Sequence, residues 1–368
     1  MAKPLRILMV QFGPIGDALM ALALFDDILT LGPQATLLII TRRNAGLLRD
    51  LASAYPQVEV REIPNGIRSI PFFLSLLTKQ WTLLMLGVAL NYSFRLKLFF
   101  FALSVIPGNC TIGLDDREKG KGWLPLQIAI KPDTSLPIIQ NFRRLISYIG
   151  AFDTTVLATR APHVRLACGK PHDFSYAPGS YIVVHLFGMA LWRTLPQRRW
   201  KTLFKKINDA YPDLPIVFTG SSKDCAMLED IANTIPNARV CIDLPILEVA
   251  GIIDAAALYI GVDTGITHLA GVLQQKSVII THLADPRWRP EYNPNARILV
   301  NSKRCTCGTP EECYAEEDGV LYRRCLYDIT DEAVLAAVRF ALSTPDRHVS
   351  AFAGLADENQ ALRQSPSL

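Results

Sequence analysis

Short runs of consecutive apolar residues alternate along this chain with stretches whose apolar positions recur at helical spacing. Residues 5–12 read as a buried strand, 17–31 as a helix, 35–41 as a strand and 44–54 as a helix. The rhythm continues with strands near 58–62, 81–87 and 110–113, separated by helical stretches at 70–78 and 94–105. A helix over 136–150 precedes a segment rich in Pro, Gly and isolated polar residues, 162–180, which reads as an interdomain linker. A second series then starts, with strands at 181–186, 215–219, 239–242, 257–261, 277–281 and 297–300 and helices between them. A last helix spans 331–342, and the polar tail 343–368 is expected to be mobile. Continuous apolar strands alternating with helices require a parallel sheet covered on both faces. The expected division is an N-terminal Rossmann-like domain over 1–165 and a second over 166–342.

Length and composition agree with two cores. At 368 residues the chain exceeds the usual single-domain size, and half of its residues are hydrophobic. A mean hydropathy of +0.21 is apolar for a water-soluble protein but far from a membrane protein's. The net charge of +4 is too mild for a dedicated nucleic-acid binder, and no basic stripe with interleaved aromatics occurs. The most membrane-like region, 71–107, is interrupted by Lys79, Arg95 and Lys97, so no spanning helix is expected. The first residues run straight into an apolar stretch without a small-residue cleavage site, which reads as a first strand and not a signal peptide. Cys110, Cys168, Cys225 and Cys241 stand singly among apolar neighbours, as reduced cysteines of a cytosolic protein do.

Chemistry is expected where strands end. The first strand runs into Gly13-Pro14-Ile15-Gly16-Asp17 and then a helix, so this turn belongs at the carboxyl edge of the sheet, where open α/β domains hold ligands. The helix dipole favours an ionised Asp17, although a first-turn aspartate is also ordinary capping. The full G-x-G-x-x-G fingerprint is missing, and Thr41-Arg42-Arg43 stands where a nicotinamide enzyme needs an acidic residue. No Walker loop, nucleophile elbow or H-E-x-x-H occurs. Gly261-Val262-Asp263-Thr264-Gly265-Ile266-Thr267-His268 closes an apolar strand and opens a helix. Amides at Thr264 and Gly265, a hydroxyl and the helix dipole suit a diphosphate, with His268 one turn in. The same pattern also describes a simple capped helix whose histidine satisfies a carbonyl. Arg193, Arg198 and Arg199 follow the strand holding His185 and would add cations on that edge.

GPIGDALMALALFDDI, WRTLPQRRW, VFTGSSKDC and above all YIGVDTGITHLAGVL, taken in this order, resemble the successive motifs of glycosyltransferase family 9, the ADP-heptose:lipopolysaccharide heptosyltransferases. The resemblance covers roughly residues 5–342. It implies a GT-B fold, two Rossmann-like domains facing a cleft, with an N-terminal acceptor domain, a C-terminal donor domain and no metal required for catalysis. Asp17 is then the general base of an inverting displacement. Arg193, Asp263, Thr264, Gly265 and His268 hold the donor, and Asp224 takes the ribose-binding acidic position. Arg193 stands where the family has a lysine, Ala23 where it has a proline, and Leu195 where it has a tryptophan.

The expected acceptor is a phosphorylated glycolipid at the inner face of the inner membrane, with the protein cytoplasmic and in peripheral contact with the bilayer. Arg42, Arg43, Arg95 and Lys97 would meet it, among the further basic residues Arg61, Arg68, Arg117, Lys119 and Lys121. A protein acceptor, as in heptosyltransferases that modify autotransporters, is the alternative within the class. A nucleotide-sugar epimerase and a nucleotide-sugar-binding protein without catalysis are those outside it. Finally, Cys305, Cys307, Cys313 and Cys325 cluster at a spacing open to a structural zinc or iron, though C-x-C is tighter than the common C-x2-C.

Overall fold

The computed structural model describes residues 5–10, 14–42, 44–85, 94–114, 126–149, 152–171, 173–188, 193–282, 286–301, 313–317 and 320–344. Its first sheet is built from β1 (Arg6–Val10), β2 (Thr36–Thr41), β3 (Val58–Glu62), β4 (Thr82–Met85), β5 (Cys110–Leu114) and β6 (Ile128–Ile130), in the order β3-β2-β1-β4-β5-β6. All five pairings are parallel. The second sheet, from β7 (Ile182–His185), β8 (Ile216–Gly220), β9 (Arg239–Ile242), β10 (Leu258–Val262), β11 (Ser277–Thr281) and β12 (Ala296–Val300), repeats that order as β9-β8-β7-β10-β11-β12. Both sheets therefore reverse direction beside their first strand, the position at which open parallel sheets bind ligands.

Strand alternation sorts the helices into layers. Ile7 and Met9 point to one face of the first sheet and pack on α1 (Ile15–Leu31), α2 (Ala45–Leu51) and α5 (Ile138–Ile146). Leu8 and Val10 point to the other, against α3 (Ser69–Leu77) and α4 (Phe94–Ser104). In the second sheet, Val183 and Tyr259 face α8 (Ile246–Asp254) and α9 (Gly265–Val272). Ile182 and Ile260 face α6 (Gln197–Ala210), α7 (Cys225–Ala232) and the last described helix.

The two inner helical layers meet in a single apolar core running from Leu19, Phe25 and Phe142 to Ile252, Ile253 and Leu269. The cleft between the sheets thus has a closed, hydrophobic floor. A Cβ at Gly265 would overlap Ile15 Cγ2, and one at Gly251 would overlap the Gly169 carbonyl, so both glycines permit backbone-close packing. The segment expected to be a linker lies along the second unit's inner helices: the Gly169 amide donates to the Leu247 carbonyl at 3.0 Å and the Val164 amide to that of Val272 at 3.4 Å.

α1 is enclosed nearly all round, and two of its three acidic residues, Asp26 and Asp27, are buried with it. Arg143 of α5 grips Asp27 through Nε at 2.7 Å and Nη2 at 3.0 Å, and its Nη1 donates to the Arg160 carbonyl at 2.7 Å. Asp26 accepts from Tyr55 Oη at 3.1 Å and Arg165 Nε at 3.0 Å, and pairs with Arg160. A sequence pattern of apolar periodicity carries no signal for this network.

β6 and an antiparallel hairpin, β13 (Tyr314–Glu317) with β14 (Val320–Arg323), were not expected from the sequence. β6 is only three residues long, and β13 carries two glutamates. The hairpin leads into the short α10 (Arg324–Tyr327), and α11 (Asp331–Ser343) packs Val334, Val338 and Ala341 on the second sheet's outer core. No helix among the described residues is long and apolar enough to cross a membrane.

Candidate active site

Two helix starts face each other across the floor of the cleft. α1 begins after Pro14, whose extended backbone breaks from β1, with Asp17 in its first turn; Gly13 lies outside the described residues. Burial pushes the Asp17 carboxyl up from 3.8 to about 6. A Cβ at Gly16 would come within 2.8 Å of His268 Cδ2, so the absent side chain is what lets the imidazole lie against this turn.

α9 supplies the opposite side. Thr264 is its extended N-cap, with Oγ1 accepting from the Thr267 amide at 3.4 Å. Thr267 in turn bonds Tyr259 Oη at 2.9 Å and donates to the Val262 carbonyl, which locks the cap to its own strand. His268 is buried, with Nδ1 3.3 Å from Tyr292 Oη. Burial holds the imidazole below its ordinary pKa, Asp263 opposing and Arg193 reinforcing the shift, so the ring is neutral. Arg193 Nη1 donates to the Asp263 carbonyl at 3.2 Å and lies 3.3 Å from its Oδ2. Arg193, Asp263, Thr264, Gly265 and His268 are thus assembled at one helix start, beside the turn that bears Asp17. A cation, a helix N-terminus and a hydrogen-bonding imidazole together suit an anionic leaving group.

Next to them a cavity of about 330 Å³ opens at the carboxyl ends of β7, β8 and β9, bounded by His185, Thr219, Ser221 and Asp243, with Leu47 of α2 from the first unit. His185 is held at a pKa of about 4 by burial, and its Nδ1 lies 3.1 Å from Thr219 Oγ1. Asp224 does not line this cavity: its Oδ2 accepts from the Ser221 amide at 3.1 Å and hydroxyl at 2.6 Å, closing the turn after β8. The acidic side chain at the cavity is Asp243, which the sequence reading missed. It follows β9 in the left-handed region, φ 53°, and accepts from the Ser222 amide at 3.0 Å. Its signal was available as an acidic residue between a strand end and the Leu244-Pro245 helix start.

Other expected residues are placed elsewhere. Arg198 pairs with Glu317 at 2.9 Å and Arg199 with Asp331 at 2.6 Å, so neither adds charge to the site. Arg42 is exposed just past β2, while Arg43 lies outside the described residues. Arg95 and Lys97 occupy the first turn of α4, where only the backbone is described. Cys313 is buried beside β13 and Cys325 half-buried in α10; Cys305 and Cys307 lie outside the described residues.

Comparison with known proteins places this geometry. The E. coli ADP-heptose lipopolysaccharide heptosyltransferase II structure is 18% identical and covers 92% of this chain and 98% of its own, with a TM-score of 0.66. The E. coli heptosyltransferase WaaC with ADP-2-deoxy-2-fluoro heptose is 17% identical over 91% of this chain and 99% of that one, TM-score 0.64. The iron-containing dodecameric glycosyltransferase TibC of enterotoxigenic E. coli is 14% identical over 93% and 76%, TM-score 0.55. These likenesses establish a GT-B fold. No match was found among curated protein sequences. The model of glycosyltransferase family 9 (heptosyltransferase) matches residues 99–317, a span that holds the Arg193 and Asp263–His268 constellation but not Asp17. With more than half of its length matched, the chain belongs to glycosyltransferase family 9, the heptosyltransferase family.

Proposed function

We propose that this glycosyltransferase moves heptose from ADP-heptose to a hydroxyl of a phosphorylated, lipopolysaccharide-core glycolipid, with inversion, on the cytoplasmic side of the inner membrane. The observation that carries this reading is the contact of Gly16 with His268 and of Ile15 with Gly265, which sets the Gly16-Asp17 turn and the Asp263–His268 helix start side by side. Asp17 takes the proton of the acceptor hydroxyl as its oxygen attacks the anomeric carbon. The bond to the diphosphate breaks, and ADP leaves with the electron pair. Arg193, the amides that open α9 and neutral His268 meet its developing charge. The adenosine fits the adjoining 330 Å³ cavity, with Asp243 in place of Asp224 as the acceptor for ribose hydroxyls. An ADP-heptose analogue bound to WaaC supports the choice of donor.

A structural ion at the cysteine segment remains part of the proposal. Tyr314 pairs with Arg323 at the open end of the hairpin, and that register brings Cys313 and Cys325 to the same end. Among the described residues no group of three possible ligands is assembled; the two thiolates would be part of a zinc or iron site that Cys305 and Cys307 complete, and the iron-containing TibC lends this support. Its contribution would be to tie the hairpin down.

Titration of ADP against variants tests the donor assignment. Arg193→Ala and His268→Ala should each weaken binding by about 1.5 to 3 kcal/mol, the worth of a hydrogen bond to a charged group. The double change Arg95→Ala/Lys97→Ala should leave it unaltered. Loss of ADP affinity in the double variant with retention in His268→Ala would reverse the donor and acceptor assignments.

A further inference from the structure

α3 and α4 form the outer layer of the first sheet, on the face turned away from the second. They pack through Phe73 and Phe99, whose ring centroids are 4.4 Å apart, and bury Leu76, Phe100 and Leu103 against the strands. Their outward side mixes exposed Ser75 and Thr78 with more apolar surface than a solvent-facing helix layer ordinarily carries. Ile70 and Leu74, one turn apart on α3, and Leu98, Phe101 and Val105, on one side of α4 and its end, are between 44% and 63% exposed. Five of the nine large apolar side chains exposed among the described residues are gathered here. Clustered exposed apolar surface marks an interaction site, whereas scattered residues do not.

Charge identifies the partner. From residue 63 to residue 114 the chain has four basic residues, Arg68, Lys79, Arg95 and Lys97, and no acidic one, although it carries 34 acidic residues in all. Arg68 and Lys79, at the two ends of α3, are exposed. Exposed apolar side chains on a stretch of chain that carries cations and no carboxylate match the boundary between the headgroups and acyl chains of an anionic bilayer. A protein surface, by contrast, offers acidic and basic groups together, and a second copy of this chain would set like charges against each other.

We propose that the α3–α4 layer is a membrane-docking face that inserts Ile70, Leu74, Leu98, Phe101 and Val105 into an anionic bilayer. The proposal deepens the glycolipid-acceptor reading and rests on it for its purpose, since docking by this face would hold the cleft at the surface where such an acceptor resides. The binding itself is measurable without any sugar transfer.

The experiment is co-sedimentation of the full chain with vesicles of phosphatidylcholine alone or with one part in three phosphatidylglycerol, for wild type and for Leu74→Glu/Phe101→Glu. Both positions are exposed, so an unchanged Tm and ADP affinity will certify the fold of the variant. Wild type should sediment with the anionic vesicles, far less with neutral ones, and less as salt rises. The variant should lose about 30-fold or more in partitioning, since each added negative charge alone is worth about a factor of five at such a surface. Equal sedimentation of both proteins would overturn the proposal. So would a concentration-dependent dimer that the variant dissociates, because a second copy would then be the occupant. Failure of ADP to bind, with vesicle binding intact, would sink the donor assignment and leave the docking face standing.

Discussion

Asp17 is the residue at which the proposed catalysis and the stability of the fold pull in opposite directions. A carboxyl pushed up to about 6 by burial is a better proton acceptor than an ordinary aspartate and is still ionised at neutral pH. As the general base, it should give kcat/KM a plateau above about pH 7 and a fall approaching tenfold per pH unit below 6, where it protonates. Asp17→Asn should lower turnover by about 100-fold or more while keeping ADP affinity, and wild-type turnover in that variant would remove the role. Stability should move the other way. Because the folded pKa lies above the unfolded one, ionised Asp17 destabilises the fold at pH values above both and has no such effect below about 4. Asp17→Asn should therefore raise the Tm at pH 7.5 and by much less at pH 4, where most of the folded carboxyl is protonated, a pairing that thermal melts at the two pH values would check.

At the scale of elements, the hairpin β13–β14 is the part least supported by its own sequence. Two isolated strands of four residues, one carrying Glu316 and Glu317, are marginal in water. An ion held by Cys313 and Cys325 together with Cys305 and Cys307 would fasten its open end. Metal analysis of freshly purified, reduced protein should find about one zinc or iron per chain, lost in Cys313→Ser/Cys325→Ser. Protein free of both metals would delete the ion from the proposal and leave the roles proposed for Asp17, Arg193 and His268 as they stand.

At the scale of the whole molecule, the joint between the sheets is where packing and function coincide. Gly265→Ala would drive a methyl into Ile15, half-buried at the start of α1, with the Gly16 backbone amide close behind it. We expect a loss of about 1 to 3 kcal/mol in chemical denaturation, as for other overpacked cores. Ile15→Ala removes the obstructing methyl, so Gly265→Ala/Ile15→Ala should be more stable than the sum of the single changes allows. Additive effects would mean that the two motifs do not share this contact. Sequence alone determined both doubly wound sheets, because strand and helix periods are local properties of apolar spacing, and most strand limits fall within a residue or two of their observed ends. It also marked Asp17 and Asp263–His268 as candidates at strand ends, since each motif is contiguous. Only the tertiary structure put Asp243 and not Asp224 among the residues bounding the cavity, because Asp224 closes its own turn with Ser221 while a left-handed backbone sets Asp243 just after β9. It likewise turned Arg198 and Arg199 toward Glu317 and Asp331, and it buried Asp26 and Asp27 with arginines more than a hundred residues away. Pairings at such separations leave no periodic trace, because they are fixed by which helix faces meet once both sheets have formed.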